Sequence, residues 1–296
     1  MKEPLVHDGG ALLSIANLTV SLPERQRTIT GSGDLTLVEG LSLDIRPGER
    51  LALVGESGSG KSLTARSILQ LDSALKLEGS ITWKGCELLG ASRRVLQKVR
   101  GAEISMIFQD PMTALNPVLT IGEQVAEPLL VRGVPRRKAY ARAVEMLDRL
   151  GVPKAKERMR AYPGQFSGGM RQRVVMAAAL VAQPQLLIAD EPTTALDVRV
   201  QEQVLDLLEE QSRELNLAVL FITHDLAIVA GLAQRVAVMF RGRLVEEKPV
   251  DELFDHPDHP YTQGLIGSIP RIDLDPDTRL TTVEDYLVLQ GGAHHD

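Results

Sequence analysis

Eight residues, Gly55-Glu56-Ser57-Gly58-Ser59-Gly60-Lys61-Ser62, combine glycine freedom, hydroxyls and one ammonium at a spacing that can hold a polyphosphate. Glycines let the backbone curl until successive N–H groups point inward at the α- and β-phosphates. Lys61 then reaches the β- and γ-phosphates, and Ser62 offers its hydroxyl to Mg²⁺. The helix that follows adds its positive end, so the nucleotide-binding set runs from Gly55 through Leu63. A glycine-rich turn without a ligand is the alternative, and the strand before and helix after the run weigh against it. The cradle alone leaves kinases, GTPases and ATPases open. A second set narrows the choice: Leu186-Leu187-Ile188-Ala189-Asp190-Glu191 is an apolar strand ending in two carboxylates. Asp190 is expected to hold the metal, and Glu191 to polarise the water that attacks the γ-phosphate. A bare acidic helix cap before Pro192 is the competing reading, which a neighbouring phosphate loop disfavours.

These residues need strands that end where they stand. Leu51 to Gly55, Leu186 to Asp190, Val219 to Thr223 and Val236 to Phe240 are short apolar runs separated by helix-like stretches, the pattern of a parallel sheet covered by helices. Ligands gather at the carboxyl ends of such sheets, so Gly55, Asp190 and His224 are expected to face one crevice. Residues 12–44 alternate apolar and polar side chains, with Gly31, Gly33 and Gly40 as breaks, and read as antiparallel strands added at the edge. From Gln109 to Ala182 the text turns helical; Arg136 to Leu150 has helical spacing and stops at Gly151-Val152-Pro153. The fold class is therefore α/β, a P-loop core with an antiparallel edge and an inserted helical subdomain over about 110–182. After Glu247 the prolines and aspartates suggest a tail, 248–296, with little regular structure.

The 296 residues carry 33 Lys and Arg against 39 Asp and Glu, a net charge of −6. A surface that coats nucleic acid needs the opposite balance, so no nucleic-acid partner is expected. The single cysteine, Cys86, excludes an intrachain disulfide and a four-thiolate zinc or iron–sulfur site, and fits a reducing compartment. Cys86 itself reads as a semi-buried structural residue. The first ten residues contain no apolar stretch suited to a secretion signal. Val174 to Ala182 and Leu217 to Ile222 fall far short of the roughly 20 residues that span a bilayer.

Phe166-Ser167-Gly168-Gly169-Met170, followed by Arg171-Gln172-Arg173, resembles the signature motif of ABC ATPases, with Phe for the usual leading Leu and Met for the usual Gln. Ser167, Gly168 and Gly169 would present N–H groups at the start of the next helix, a second anion-binding end. The resemblance covers residues 12–271. It implies that each ATP lies between the cradle of one subunit and the signature of another in a head-to-tail dimer. It further implies roles for Gln109, which reaches metal and attacking water, and for His224, which touches the γ-phosphate. Asp197, in Ala195-Leu196-Asp197, stands where the family's D-loop crosses the dimer interface. ABC ATPases commonly stack adenine on an upstream aromatic residue, whereas Trp83 is the first aromatic of this chain; Leu22, Arg25, Arg27 or Ile29 would have to cover the ring.

Two stretches resemble the peptide branch of ABC importers, the oligopeptide and dipeptide permease ATPases, with nickel importers close by. They are Gln109-Asp110-Pro111-Met112-Thr113-Ala114-Leu115-Asn116-Pro117 continuing through Thr120-Ile121-Gly122-Glu123-Gln124, and His256-Pro257-Asp258-His259-Pro260-Tyr261-Thr262. The resemblance implies a peripheral ATPase on the cytoplasmic face of the inner membrane, partnered by transmembrane permease subunits and by a second ABC ATPase, either a copy or a paralogue. An extracytoplasmic substrate-binding protein is an indirect partner. A soluble ABC ATPase of repair or translation is one alternative, though such families carry a long coiled-coil insertion or tandem cassettes that this sequence does not show; a catalytically silent regulatory nucleotide binder is another, which Glu191 and His224 weigh against. His256 and His259 supply two metal ligands where three are wanted. His294-His295 and the basic run from Arg132 to Arg142 read as solvated, the latter with contact to anionic lipid or a partner as its alternative.

Overall fold

The computed structural model describes residues 10–24, 33–109, 114–193 and 198–269, with the backbone alone at 198–200. The chain divides into two compact units, residues 1–12, 45–49 and 90–220 in one and 13–44, 50–89 and 221–296 in the other. Strands order as β2-β1-β4-β5 in one sheet and β10-β9-β3-β8-β7-β6 in another. Their ranges are β1 Leu13–Leu22, β2 Leu35–Ile45, β3 Arg50–Val54, β4 Lys76–Trp83, β5 Cys86–Glu87, β6 Ile104–Ile107, β7 Leu186–Asp190, β8 Ala218–Thr223, β9 Arg235–Phe240 and β10 Arg243–Pro249.

The antiparallel strands expected over 12–44 are β1 and β2, but they join β4 and β5 in a sheet of their own. Alternation in β1 buries Leu13, Ile15, Leu18 and Val20 and fixes which face is covered; it says nothing about which strand lies alongside. That strand is β4, paired antiparallel with a register shift between Ala16 and Thr19. Cys86, expected to be semi-buried, is exposed on the two-residue β5.

In the other sheet, β7 and β8 are buried at every residue, as the continuous apolar runs of parallel strands require. β6 pairs parallel with β7, from Ile104 beside Leu186 to Ile107 beside Ala189. β3 pairs parallel with β9, and β10 returns antiparallel along β9 as the edge.

Helices in the first unit are α2 (Arg93–Val99), α3 (Ile121–Leu130), α4 (Arg136–Arg149), α5 (Ala155–Arg158), α6 (Gly168–Leu180) and α7 (Val198–Leu215). Thr120 opens α3 with a capping box: its hydroxyl accepts Glu123 N–H at 3.3 Å and Glu123 Oε2 accepts Thr120 N–H at 2.9 Å. Gly122 lets α3 approach the chain closely, since a Cβ there would stand 2.8 Å from the Met159 carbonyl oxygen. Gln124, buried, binds the Asn116 and Leu119 carbonyls at 3.0 and 2.9 Å and so fixes the preceding loop. The stretch Thr120 to Gln124 thus does structural work. The basic run from Arg132 to Arg142 lies mostly in solvent, as expected.

The second unit carries α1 (Lys61–Ile68), α8 (Leu226–Leu232), α9 (Val250–Asp255) and α10 (Pro260–Gly267). The last two correct the expectation of an irregular tail over their residues. Pro249 caps α9 and Pro260 opens α10, positions where a missing N–H costs nothing and a fixed φ favours the helix. Both helices pack on β9 and α8 through Leu253, Tyr261, Phe254 and Leu265. No helix among the described residues is long and apolar enough to cross a membrane.

Candidate nucleotide site

β3 is buried from Leu51 to Val54 and delivers the chain to Gly55. A Cβ at Gly55 would stand 2.1 Å from the Met239 carbonyl oxygen, so the loop can start against β9 only without a side chain. Glu56, Ser57 and Gly58 are exposed, and a Cβ at Gly58 would meet nothing within 4 Å. The loop is tied from within by the Ser59 N–H on the Glu56 carbonyl at 3.2 Å, and from outside by the Gly242 N–H on the Ser59 carbonyl at 3.0 Å. Lys61, 4% exposed, folds its ammonium back onto the Gly55 and Glu56 carbonyls, each at 2.7 Å. An ammonium held by carbonyl oxygens at a glycine-rich loop has the charge and reach to take phosphate oxygens in their place. Ser62 and Leu63, the next two residues of α1, are half-buried.

His224 stands exposed in the same unit, directly after β8. Its turn is fixed on both sides: the Asp225 N–H donates to the Thr223 hydroxyl at 3.0 Å, and the Asp225 carboxylate caps α8 by accepting Ala227 N–H at 2.9 Å.

The other unit holds the acidic strand end. Asp190 closes β7 and is buried; Glu191 follows at 8% exposure with φ 45°, a left-handed conformation that costs a non-glycine residue about 1–2 kcal/mol. Such strain collects where a side chain must be aimed. Gln109, two residues beyond β6, donates from Nε2 to Glu191 Oε2 at 2.9 Å, so two predicted site residues 82 positions apart are brought together.

Ser167, expected to open the signature helix, is the N-cap of α6; its hydroxyl accepts Met170 N–H at 3.4 Å. Ser167 and Gly168 are exposed and Gly169 is half-buried. A Cβ at Gly168 would meet nothing within 4 Å, so nothing in its own chain demands a glycine there. Phe166, in place of the usual Leu, is buried beneath the Arg158 guanidinium, 5.2 Å from the ring centre.

Asp197 lies outside the described residues, as do Asp110 to Thr113, Arg25, Arg27, Ile29 and His294-His295. No group of three metal-ligating side chains forms among the described residues. His259 serves instead as a cap, its Nδ1 accepting Tyr261 N–H at 3.2 Å. Two residues escaped the sequence reading. Gln172, fully buried on α6, donates to the Pro192 carbonyl and so links the signature helix to the turn after Glu191. Tyr261 accepts an N–H from the phosphate loop.

The chain matches the family described as ABC transporter over residues 38–194 and the oligopeptide/dipeptide transporter C-terminal region over 245–288. It is 47% identical over 273 residues to the oligopeptide transport ATP-binding protein OppD of Escherichia coli, covering 92% of this chain and 79% of that one. It is 49% identical over 267 residues to the dipeptide transport ATP-binding protein DppD of Bacillus subtilis, covering 89% and 78%. Among solved structures it resembles the ATP-binding cassette MJ0796, a post-hydrolysis dimer bound to ADP and phosphate. That match has a TM-score of 0.68 and 28% identity, over 80% of this chain and 98% of that one. Cassette cbiO1 of Clostridium perfringens gives 0.70 and 26%, over 83% and 92%. A family match across more than half of the chain, together with near-half identity to ATP-binding transport proteins along most of its length, means that the chain belongs to the ABC transporter family, among its ATPases.

Proposed function

We propose that this chain is the ATP-hydrolysing subunit of an importer of oligopeptides or dipeptides, working as a head-to-tail dimer with a copy or a paralogue. The observation that carries the hydrolytic role is the Gln109–Glu191 hydrogen bond at the end of a fully buried strand. It fixes the orientation of a buried carboxylate, and an oriented carboxylate on a left-handed backbone suits a general base. Glu191 takes the proton of the attacking water, Gln109 orients that water, and His224 contacts the γ-phosphate. The backbone from Gly55 to Leu63 and the Lys61 ammonium hold the phosphates, while Ser167, Gly168, Gly169 and Asp197 complete the site from the opposite subunit. The open space at Gly168 and the exposed Ser167 cap support that last assignment.

Ser62, Gln109 and Asp190 carry the oxygen donors that Mg²⁺ prefers and would hold it. When bound, the ion neutralises charge on the β- and γ-phosphates.

Residues 12–271 form the ATP-binding domain, with the helical subdomain at about 110–182 and an importer-type extension at 248–296. Exposed apolar side chains at Phe108 (45%) and Val118 (75%), with Leu119, suit contact with a membrane-spanning permease subunit at the cytoplasmic face. Peptide cargo rests on the C-terminal match and on the names of the relatives. The test is uptake of a labelled peptide by cells whose only copy of this chain carries Glu191→Gln. Loss of uptake with the protein still present supports the reading; unchanged uptake refutes it.

A further inference from the structure

The C-terminal segment reaches into the phosphate loop through one side chain. Tyr261 is fully buried at the second position of α10, and its ring stacks on Phe240 with centroids 4.1 Å apart and planes at 28°. Its hydroxyl oxygen accepts the Glu56 N–H at 2.7 Å, across 205 positions of sequence. Glu56 follows Gly55, where the loop leaves β3, and its carbonyl accepts both the Lys61 ammonium and the Ser59 N–H. Residue 56 is therefore held at both its N–H and its carbonyl.

The seat of Tyr261 is itself fixed. Glu246 on β10 accepts the Asp258 and His259 N–H groups at 2.7 and 3.0 Å, and Lys248 reaches both Glu246 and Asp258, at 3.4 and 2.7 Å. His259 and Pro260 then start α10 and point Tyr261 inward. Burial pushes the Tyr261 phenol up to about 12, so the hydroxyl stays neutral at any physiological pH. A phenylalanine would fill the same space and keep the stack, so packing alone does not account for the hydroxyl.

We infer that Tyr261 is a positioning residue for nucleotide binding: by accepting the Glu56 N–H it holds the first turn of the phosphate loop in its binding form. The C-terminal segment is thereby part of the nucleotide site's support. This rests on the reading of residues 55–62 as the ATP cradle. A loop released from that bond spends part of its time in other shapes, and apparent affinity falls by the fraction lost. Loss of one such bond is expected to weaken binding about three- to tenfold.

The experiment compares the full-length chain with Tyr261→Phe and Lys61→Ala, measuring affinity for a fluorescent ADP, melting temperature and hydrogen exchange of the Glu56 amide. The expected result is weaker binding by Tyr261→Phe, by about three- to tenfold, with faster exchange at Glu56 and with Lys61→Ala losing measurable binding. Unchanged affinity in Tyr261→Phe beside lost binding in Lys61→Ala overturns the positioning role and leaves the cradle intact. Unchanged affinity in Lys61→Ala overturns the cradle, and the inference with it. Should Tyr261→Phe fail to fold, the unaltered chain decides: its Glu56 amide must exchange far more slowly than those of Ser57 and Gly58, and equal rates overturn the proposal.

Discussion

A base that activates water must be aimed and then left uncommitted by the rest of the protein, and Glu191 meets the first condition through Gln109 and through its own left-handed backbone. Replacing Glu191 by Gln keeps the shape and the polar partner but removes the proton acceptor. ATP turnover is expected to fall at least about 100-fold while ATP binding persists, which parallel turnover and binding measurements will show. Equal turnover would remove Glu191 from the proposed role. Sequence suggested this residue because a carboxylate after an apolar strand, in a chain that also has a phosphate loop, has few other uses. Gln109 could be singled out only through family resemblance, since a single amide leaves no local pattern. The sequence around Tyr261 carries a family motif but no sign of this role, because a bond spanning 205 positions is invisible to any window of sequence.

Among the elements, the buried parallel strands were the most legible: β7 occupies the expected residues 186–190, since an apolar run buried on both faces needs no partner information to be recognised. β1 and β2 were legible as strands but not as members of a separate sheet. The proline-rich C-terminal text misled for a specific reason. Proline disrupts a helix in its middle and favours one at its first turn, and Pro260 sits at that turn. What then secures α10 is Glu246. Burial raises the pKa of its carboxyl, but hydrogen bonds from the Asp258 and His259 N–H groups and from Lys248 outweigh burial and hold it below the usual 4.5. A folded-state pKa below the unfolded one means stability that is present above 4.5 and lost as pH falls through the lower folded value. Melting temperature against pH should therefore show Glu246→Gln less stable than the parent near neutrality, with the gap closing in acid. A gap independent of pH would assign the effect of Glu246 to packing instead.

For the whole molecule, the chain carries both a phosphate cradle and a glycine pair at a capped helix start, on different compact units. In the proposed dimer each of these surfaces serves the other subunit's nucleotide, so neither protomer hydrolyses ATP by itself. The most direct measurement is ATP turnover per chain across a dilution series whose oligomeric state is followed by sedimentation. Turnover per chain must rise with concentration where monomer gives way to an ATP-bound dimer, and Ser167→Arg must abolish that rise without weakening ATP binding by the monomer. Full turnover per chain in samples that sediment only as monomer would contradict the account.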